Sequence, residues 1–447
     1  MYKLQIYKLP KAKKNITIES DGTIFSQYPT QPLFSLGFHS FIHRTKDSMS
    51  ITNKLQTKNK FYYVVNPFEH YINDYKNNLI NVTKSYFNVD KSNEKILSRA
   101  FYKMWEILYL FDLINNKDIN YAALAEGPGA FLQAVIKFKE KFYNGIKKDK
   151  IFAVTIHAEE GKNINIGKQF LNRYNKKYPD LINLHKTYPT KIANKFKSRD
   201  NGDITKIKTI SLFKKDMTKQ KRKADLITAD GGFEWKDENY QEQEAYALIL
   251  GEIIAALNVQ QKGGHFVLKI FETFTNITLK LIYLLTYCYD ECYIYKPFFS
   301  RLSNSEKYII CKGFNLKSPR KTIKNLEKIL EQMNTENYLN TIFIDFELPN
   351  EFINIFQTIN RDIANNQQIV INKIVKYIKG NNYFGEKYHE YKKKQIEATE
   401  FWINTFYPSS SKLFLEKKKE LQTEIKEVLA KNIINRNKLK ENYIYNS

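Results

Sequence analysis

From about residue 86 to 315, short apolar runs closing on a small or acidic residue alternate with stretches whose apolar positions recur every three or four residues. The run from Tyr121 to Phe131, YAALAEGPGAF, is the clearest case. An apolar strand ends in an acidic residue and the turn Gly127-Pro128-Gly129, and a helix then starts through Leu132, Ala134, Val135 and Ile136. Further strands are predicted at Ile151–Ile156, Ala224–Ala229, His265–Ile270, Cys292–Tyr295 and Tyr308–Cys311, with helices over Ala245–Val259 and Ile277–Tyr289. Such alternation predicts a doubly wound α/β fold on a mostly parallel, Rossmann-like sheet, which binds ligands beyond the carboxyl ends of its strands.

The flanks read differently. Residues 1–85 carry short β-prone pieces at Ile16–Ile18, Thr23–Phe25 and Phe61–Val65, separated by Pro29, Pro32 and Pro67, and read as a strand-and-loop extension. A helix is predicted from about Val89, capped by Asp90 or Ser92, with Ile96, Ala100, Ile107 and Phe111 on one stripe. Lys103 falls on that stripe, so its ammonium either snorkels to solvent or points into a cleft. Residues 162–201 are basic and loop-like with helical pieces. Pro319 marks a boundary, and residues 316–447 read as helices at Lys321–Met333, Asn350–Ile363, Gln368–Ile378, Glu386–Phe406 and Leu413–Lys431. Mixed Lys and Glu from Lys412 onward predict a solvated helix there.

Composition changes the picture at one point. A net charge of +24 over 447 residues favours a polyanionic partner, nucleic acid first. An AT-rich coding sequence, as in a large DNA virus or a protist, yields the same excess of Lys, Asn, Ile, Tyr and Phe. Three cysteines in apolar surroundings (Cys288, Cys292, Cys311) form no disulfide framework, and the expectation is a reduced, intracellular protein. No signal peptide core and no membrane span is predicted. His39 and His43 stand four apart and can share a helix face, but without a third ligand they read as ordinary polar residues rather than a metal site.

Four polar residues stand where apolar ones are expected or where strands end. Asp230 closes a buried strand ahead of Gly231-Gly232, and Lys269 interrupts Phe266-Val267-Leu268 inside a strand covered on both faces. Glu306 precedes the last strand, and Lys103 is the fourth. Asp203, in the Asn201-Gly202-Asp203 turn, either binds a cofactor hydroxyl or amine or caps its own turn.

In order, SRAFYK, ADGGF, GGHFVLK and SNSEKYIICKG present Lys103, Asp230, Lys269 and Glu306. This Lys-Asp-Lys-Glu series resembles that of the RrmJ/FtsJ-like methyltransferases, over about residues 90–315. DGGF, GGHFVLKIFETFT and KPFFSRLSNSEKYIICKGF are most similar to the Adrift-type branch, the cap-specific mRNA ribose methyltransferases. The resemblance implies transfer of a methyl group from S-adenosylmethionine to a ribose 2′-hydroxyl of RNA, with capped mRNA as substrate. Ribosomal or transfer RNA, or a non-catalytic RNA scaffold, are the alternatives. It implies that Gly127, Pro128 and Gly129 pack on the methionine part of the cofactor and that Asp203 meets the adenosine. It further implies that Lys269 stabilises the developing alkoxide, or acts as base if its pKa is depressed, while Asp230 and Glu306 hold the two ammonium groups. The family's GPGG turn reads GPGA here, with Ala130 small enough for the turn to survive. The basic loops Lys191–Lys208 and Lys296–Lys307 are expected to track RNA phosphates, and residues 316–447 to extend the RNA surface or dock a capping enzyme or polymerase.

Overall fold

The computed structural model describes the chain apart from 1, 13–15, 17, 21, 35, 55–63, 70–77, 89–93, 116, 144, 147, 157–164, 186–199, 220–221, 233–235, 238, 317–318, 334–337, 345–346 and 445–447. Its centre is an eight-stranded sheet. In chain order the strands are β1 (Gln5–Leu9), β3 (Asn120–Leu124), β4 (Lys150–Ala153), β5 (Ile182–Leu184), β6 (Ala224–Ala229), β7 (Gln260–Ile270), β8 (Tyr289–Lys296) and β9 (Lys307–Phe314). The remaining strand, β2 (Ile24–Ser26), pairs instead with β10 (Tyr338–Thr341) in a separate ribbon.

Across the large sheet the order is β1-β8-β9-β7-β6-β3-β4-β5. From β7 to β5 every pairing is parallel, whereas β9, β8 and β1 add antiparallel. The chain leaves β3 toward β4 and β5 but leaves β6 toward β7, so the strand order reverses between β3 and β6. Leu124 pairs with Ala229 at that reversal, which sets the Gly127–Gly129 turn beside Asp230. An open sheet holds its ligand at such a switch point.

Helices α1 (Leu36–Asp47), α2 (Leu79–Tyr86), α3 (Ala100–Phe111), α4 (Ala130–Phe142), α5 (Lys168–Lys177), α6 (Ile207–Lys219), α7 (Gln241–Glu244), α8 (Tyr246–Val259) and α9 (Asn276–Cys288) flank the strands. Two apolar clusters, one on each side, sandwich the sheet. Gly251 lets α8 approach the 203–205 segment, because a Cβ there would lie 2.3 Å from the Ile204 carbonyl oxygen. The three cysteines are free and buried in this core.

Several expectations need correction. β1 is not part of a detached extension: Leu4, Ile6, Tyr7 and Leu9 are buried, and the strand completes the sheet against β8. Residues 16 and 18 form no strand, and Val64 and Val65 are helical, while 61–63 lie outside the described residues. The helix bearing Lys103 begins at Ala100 rather than Val89, so Ile96 sits in the preceding loop; the proposed caps Asp90 and Ser92 lie outside the described residues.

The C-terminal helices are α10 (Pro319–Gln332), α11 (Asn350–Lys379), α12 (Gly385–Phe406) and α13 (Ser411–Ile444). Pro319 opens α10, at a position where a missing N–H costs nothing. The two pieces expected between 350 and 378 are one helix. Phe414, Leu421 and Ile425 of α13 are buried in the same cluster as Trp105 of α3, so this helix is packed on one face rather than solvated all round. Trp402 and Phe406 of α12 join them. Trp402 Nε1 and Tyr295 Oη both donate to Glu106 of α3, whose carboxyl is buried and pushed up to about 7. No helix among the described residues is long and apolar enough to cross a membrane.

Candidate active site

Four elements deliver one polar cluster to the carboxyl edge of the parallel strands. Lys103 comes from α3, Asp230 from the end of β6, Lys269 from the penultimate residue of β7, and Glu306 from the residue before β9. Lys103 Nζ lies 2.5 Å from Glu306 Oε1. Lys269 Nζ lies 3.2 Å from Asp230 Oδ1 and donates to the Asp230 carbonyl oxygen at 2.9 Å. The side chains range from 9% exposed (Lys103) to 18% (Asp230), so the cluster is desolvated yet reachable. Lys103 is therefore not a snorkelling lysine: its ammonium stays at the cleft, held by a carboxylate.

The two pairs act on each other. Burial would raise the Glu306 pKa, but Lys103, then Lys269 and Lys296, overcome it and hold the carboxyl well below the usual range. Burial pulls Lys103 below the usual lysine value despite Glu306. For Lys269 burial also pulls downward, but Asp230 and then Glu306 outweigh it and the net shift is upward. The option of Lys269 as a base with a depressed pKa is thereby corrected: its neighbours favour the ammonium form.

Several participants escaped the sequence reading. Tyr308 Oη donates to Asp230 Oδ1 at 2.9 Å, fixing that carboxylate from below. Its signal was a tyrosine at a buried strand position, where the hydroxyl requires a partner. Ser300 Oγ donates to Glu306 Oε1 at 2.9 Å. Glu252 of α8 accepts from the Gly231 N–H at 3.1 Å, and a Cβ on Gly231 would lie 2.4 Å from its Oε1. The glycine after Asp230 thus allows a carboxyl to support the turn. Burial pushes Glu252 up to about 8.

The glycine turn is equally built. Gly129 takes φ +105, open to glycine and strained for any other residue. Gly129 then caps α4, and Ala130 enters the helix as its first residue without disturbing the turn. Glu126, the acidic residue that closes β3, is buried; its Oε1 accepts from the Phe131 N–H at 3.1 Å. Its Oε2 has no hydrogen-bond partner among the described residues. Burial, then the nearby Asp230 charge, push this carboxyl up to about 8. Asp203 Oδ1 accepts from the Thr205 N–H at 2.9 Å and Thr205 Oγ1 at 2.7 Å, which is the turn-capping role.

The expected phosphate-tracking loops need revision. Lys296 and Lys307 are buried. Lys296 Nζ donates to the carbonyl oxygens of Glu306 at 2.7 Å and Asn304 at 2.9 Å, and Lys307 Nζ donates to the Phe271 carbonyl. They brace the loop that presents Glu306 and cannot reach a phosphate. Arg301 donates from Nε to Glu69 at 2.8 Å. Of the other loop, 191–199 lie outside the described residues, while Lys206 and Lys208 are exposed.

Residues 96–314 match the family model of the FtsJ-like methyltransferases. The chain is 30% identical over 213 residues to the cap-specific mRNA (nucleoside-2'-O-)-methyltransferase 1 of Trypanosoma cruzi (strain CL Brener), covering 47% of this chain and 52% of that protein. It is 26% identical over 264 residues to the cap-specific mRNA (nucleoside-2'-O-)-methyltransferase 2 of Drosophila melanogaster, covering 57% and 35%. Against the cap-specific mRNA (nucleoside-2'-O-)-methyltransferase 1 of Mus musculus it is 38% identical over 149 residues, 32% and 18%. The chain thus spans about half or less of the length of these curated relatives. All three are eukaryotic, which lends no support to a viral source.

Proposed function

With residues 96–314 forming an FtsJ-like methyltransferase domain, we propose that this chain transfers a methyl group from S-adenosylmethionine to a ribose 2′-hydroxyl near the 5′ end of capped mRNA. The observation that carries the reading is the meeting of two lysine–carboxylate pairs beside a glycine turn at the switch point of the sheet. The relatives' names supply the capped substrate.

The residues fit the cofactor: the left-handed Gly129 leaves bare backbone at the turn, and Gly127 and Pro128 shape its floor. Asp203 is the residue assigned to the adenosine, through the carboxylate oxygen not used by Thr205. S-adenosylmethionine supplies an electrophilic methyl carbon on a sulfonium, so the transfer itself calls for no metal. A ribose hydroxyl is a very weak acid, and its oxygen gains negative charge as it attacks the methyl carbon. The carbon–sulfur bond breaks to release the neutral thioether, and the hydroxyl proton leaves to solvent, which reaches the partly exposed cluster. Lys269, kept charged by Asp230 and Glu306, places an ammonium where that charge develops. Asp230 and Glu306 keep the cluster near neutrality and offset the repulsion between the two ammonium groups. Lys103 anchors Glu306, and Tyr308 anchors Asp230.

Methyl transfer to short RNAs with and without a cap is the test. Strong preference for the capped RNA is expected. Equal rates on uncapped RNA would remove the cap reading in favour of ribosomal or transfer RNA. Cofactor and RNA binding without any transfer would leave only a scaffold.

The helical C-terminal region is assigned a contribution to RNA or partner docking, through the exposed face of α12 carrying Lys387 and Lys393. Its buried face packs on α3, so truncation is not a clean test. Lys387→Glu with Lys393→Glu should weaken RNA binding and flatten its salt dependence. Unchanged RNA affinity and unchanged capture of a capping enzyme or polymerase would remove the assignment.

A further inference from the structure

His39 and His43 lie one turn apart on α1, and the sequence alone offered them no third partner. The fold provides one. Glu272 follows the end of β7, and single ligand atoms of His39, His43 and Glu272 all lie within 4.8 Å of one another. The two imidazole rings touch, with centroids 3.9 Å apart and planes tilted by 57°. His43 Nε2 and Glu272 Oε2 are both buried and oppose each other at 3.5 Å, an ion-pair contact beyond good hydrogen-bond range, and neither has a hydrogen-bond partner among the described residues. The other carboxylate oxygen, Oε1, accepts from Lys46 Nζ at 3.0 Å. Phe274 closes one side of His39, its ring edge-on at 5.0 Å.

We propose that His39, His43 and Glu272 bind a divalent transition-metal ion of the Zn²⁺ type, which clamps α1 onto the carboxyl end of β7. Buried polar atoms normally find hydrogen-bond partners, and here two converge on one point with only a long ion-pair contact between them. A proton shared between His43 and Glu272 would satisfy those two atoms but would leave His39 unused. Zn²⁺ bonds imidazole nitrogen and carboxylate oxygen at about 2.0–2.2 Å, so ligand atoms in a tetrahedral site lie roughly 3.4 Å apart. Small side-chain rotations bring the three atoms to that spacing. Lys46 holds the non-ligating oxygen and so orients the carboxylate, in the manner of an outer-shell partner. The pair of imidazoles selects ions that bond nitrogen strongly. The site lies three residues from Lys269 and holds none of the tetrad, so its role is to anchor the N-terminal helix to the strand that carries Lys269.

The test uses the full chain, stripped with a chelator and titrated with Zn²⁺ against a chromophoric competitor, then with Co²⁺ as a visible probe. One tight equivalent per chain is expected, with tetrahedral Co²⁺ absorption and a rise of Tm on adding Zn²⁺. Glu272→Gln and His43→Ala should each weaken that equivalent by roughly 100-fold or more and abolish the Tm rise. Where His43→Ala fails to fold, His39→Gln and Glu272→Gln serve, checked by far-ultraviolet circular dichroism without metal. No bound equivalent, or binding that is equal in the wild type and in these variants, overturns the site; the second result means an adventitious ion only.

Discussion

Lys269, half-buried, and Lys296, buried, lie at the same edge of one sheet, on parallel strands that flank β9, and their surroundings have opposite effects. Lys269 contacts Asp230 through both its carbonyl and its carboxylate, with Glu306 nearby, and its pKa moves upward against burial. Lys296 is surrounded mostly by neutral oxygens, those of Asn304, Ser300 and the Glu306 backbone. Burial, aided by Lys307, Lys103 and Arg99 and opposed by Glu306, pushes it down to about 7. Lys296, pushed down by burial, is a loop buttress, whereas Lys269, the lysine assigned to the developing alkoxide under the proposed function, is held charged. Neighbouring charge, rather than depth, separates the two roles.

Glu306 stands between both lysines, so Glu306→Gln should have the largest effect. It leaves Lys103 without its carboxylate and removes the counter-charge from Lys269 and Lys296. Breaking a buried pair this way costs on the order of 3–5 kcal/mol, read from chemical denaturation, and methyl transfer should be lost together with it. A variant with wild-type stability would show that the pairs are not coupled as described. Lys269→Met should follow, slowing methyl transfer by roughly 10²–10³ while RNA binding stays close to wild type and Tm falls, because Asp230 loses its ammonium. Near-full activity in that variant would end the assignment of Lys269.

Lys296→Met sharpens the contrast through pH. The folded pKa of Lys296 lies near 7, below the free value of 10.5, so the unfolded chain binds more protons between those values. Its contribution is full above pH 10.5 and is lost as pH falls through about 7, so wild-type stability should rise with pH across that window. The variant should be less stable overall, with that rise flattened; an unchanged slope would show that Lys296 titrates normally. The smallest change is expected for Glu252→Gln. Glu252, at about 8, is raised above its free value, so its contribution is present below about 4.5 and is lost as pH rises through 8. Glutamine keeps an acceptor for the Gly231 N–H and never ionises, so Tm should match wild type below about pH 4.5 and should exceed it increasingly as pH rises toward 8. A large loss at pH 7 would mean that the carboxylate, not the acid, supports the turn.

Much of the central fold was legible because parallel strands are buried on both faces and read as apolar runs. Tyr121–Leu124, Ala224–Ala229 and His265–Ile270 are of this kind, and Asp230 and Lys269 stood out as polar breaks in such runs. β1 was legible in principle, since Leu4, Ile6 and Leu9 are buried while Lys8 is exposed, yet its pairing with β8 joins residues nearly three hundred positions apart. Lys296 and Lys307 read as a basic surface because charge alone does not reveal burial.

Local order, the glycine turn and the identity of the four polar residues were therefore set by the sequence, because periodicity and backbone freedom are properties of neighbouring residues. Tertiary structure alone decided which lysine keeps its proton, which lysines brace a loop, and that Glu272 meets His39 and His43. Those outcomes depend on distances between remote segments. A Coulomb interaction or a ligand set exists only once folding has removed the water and brought the groups together.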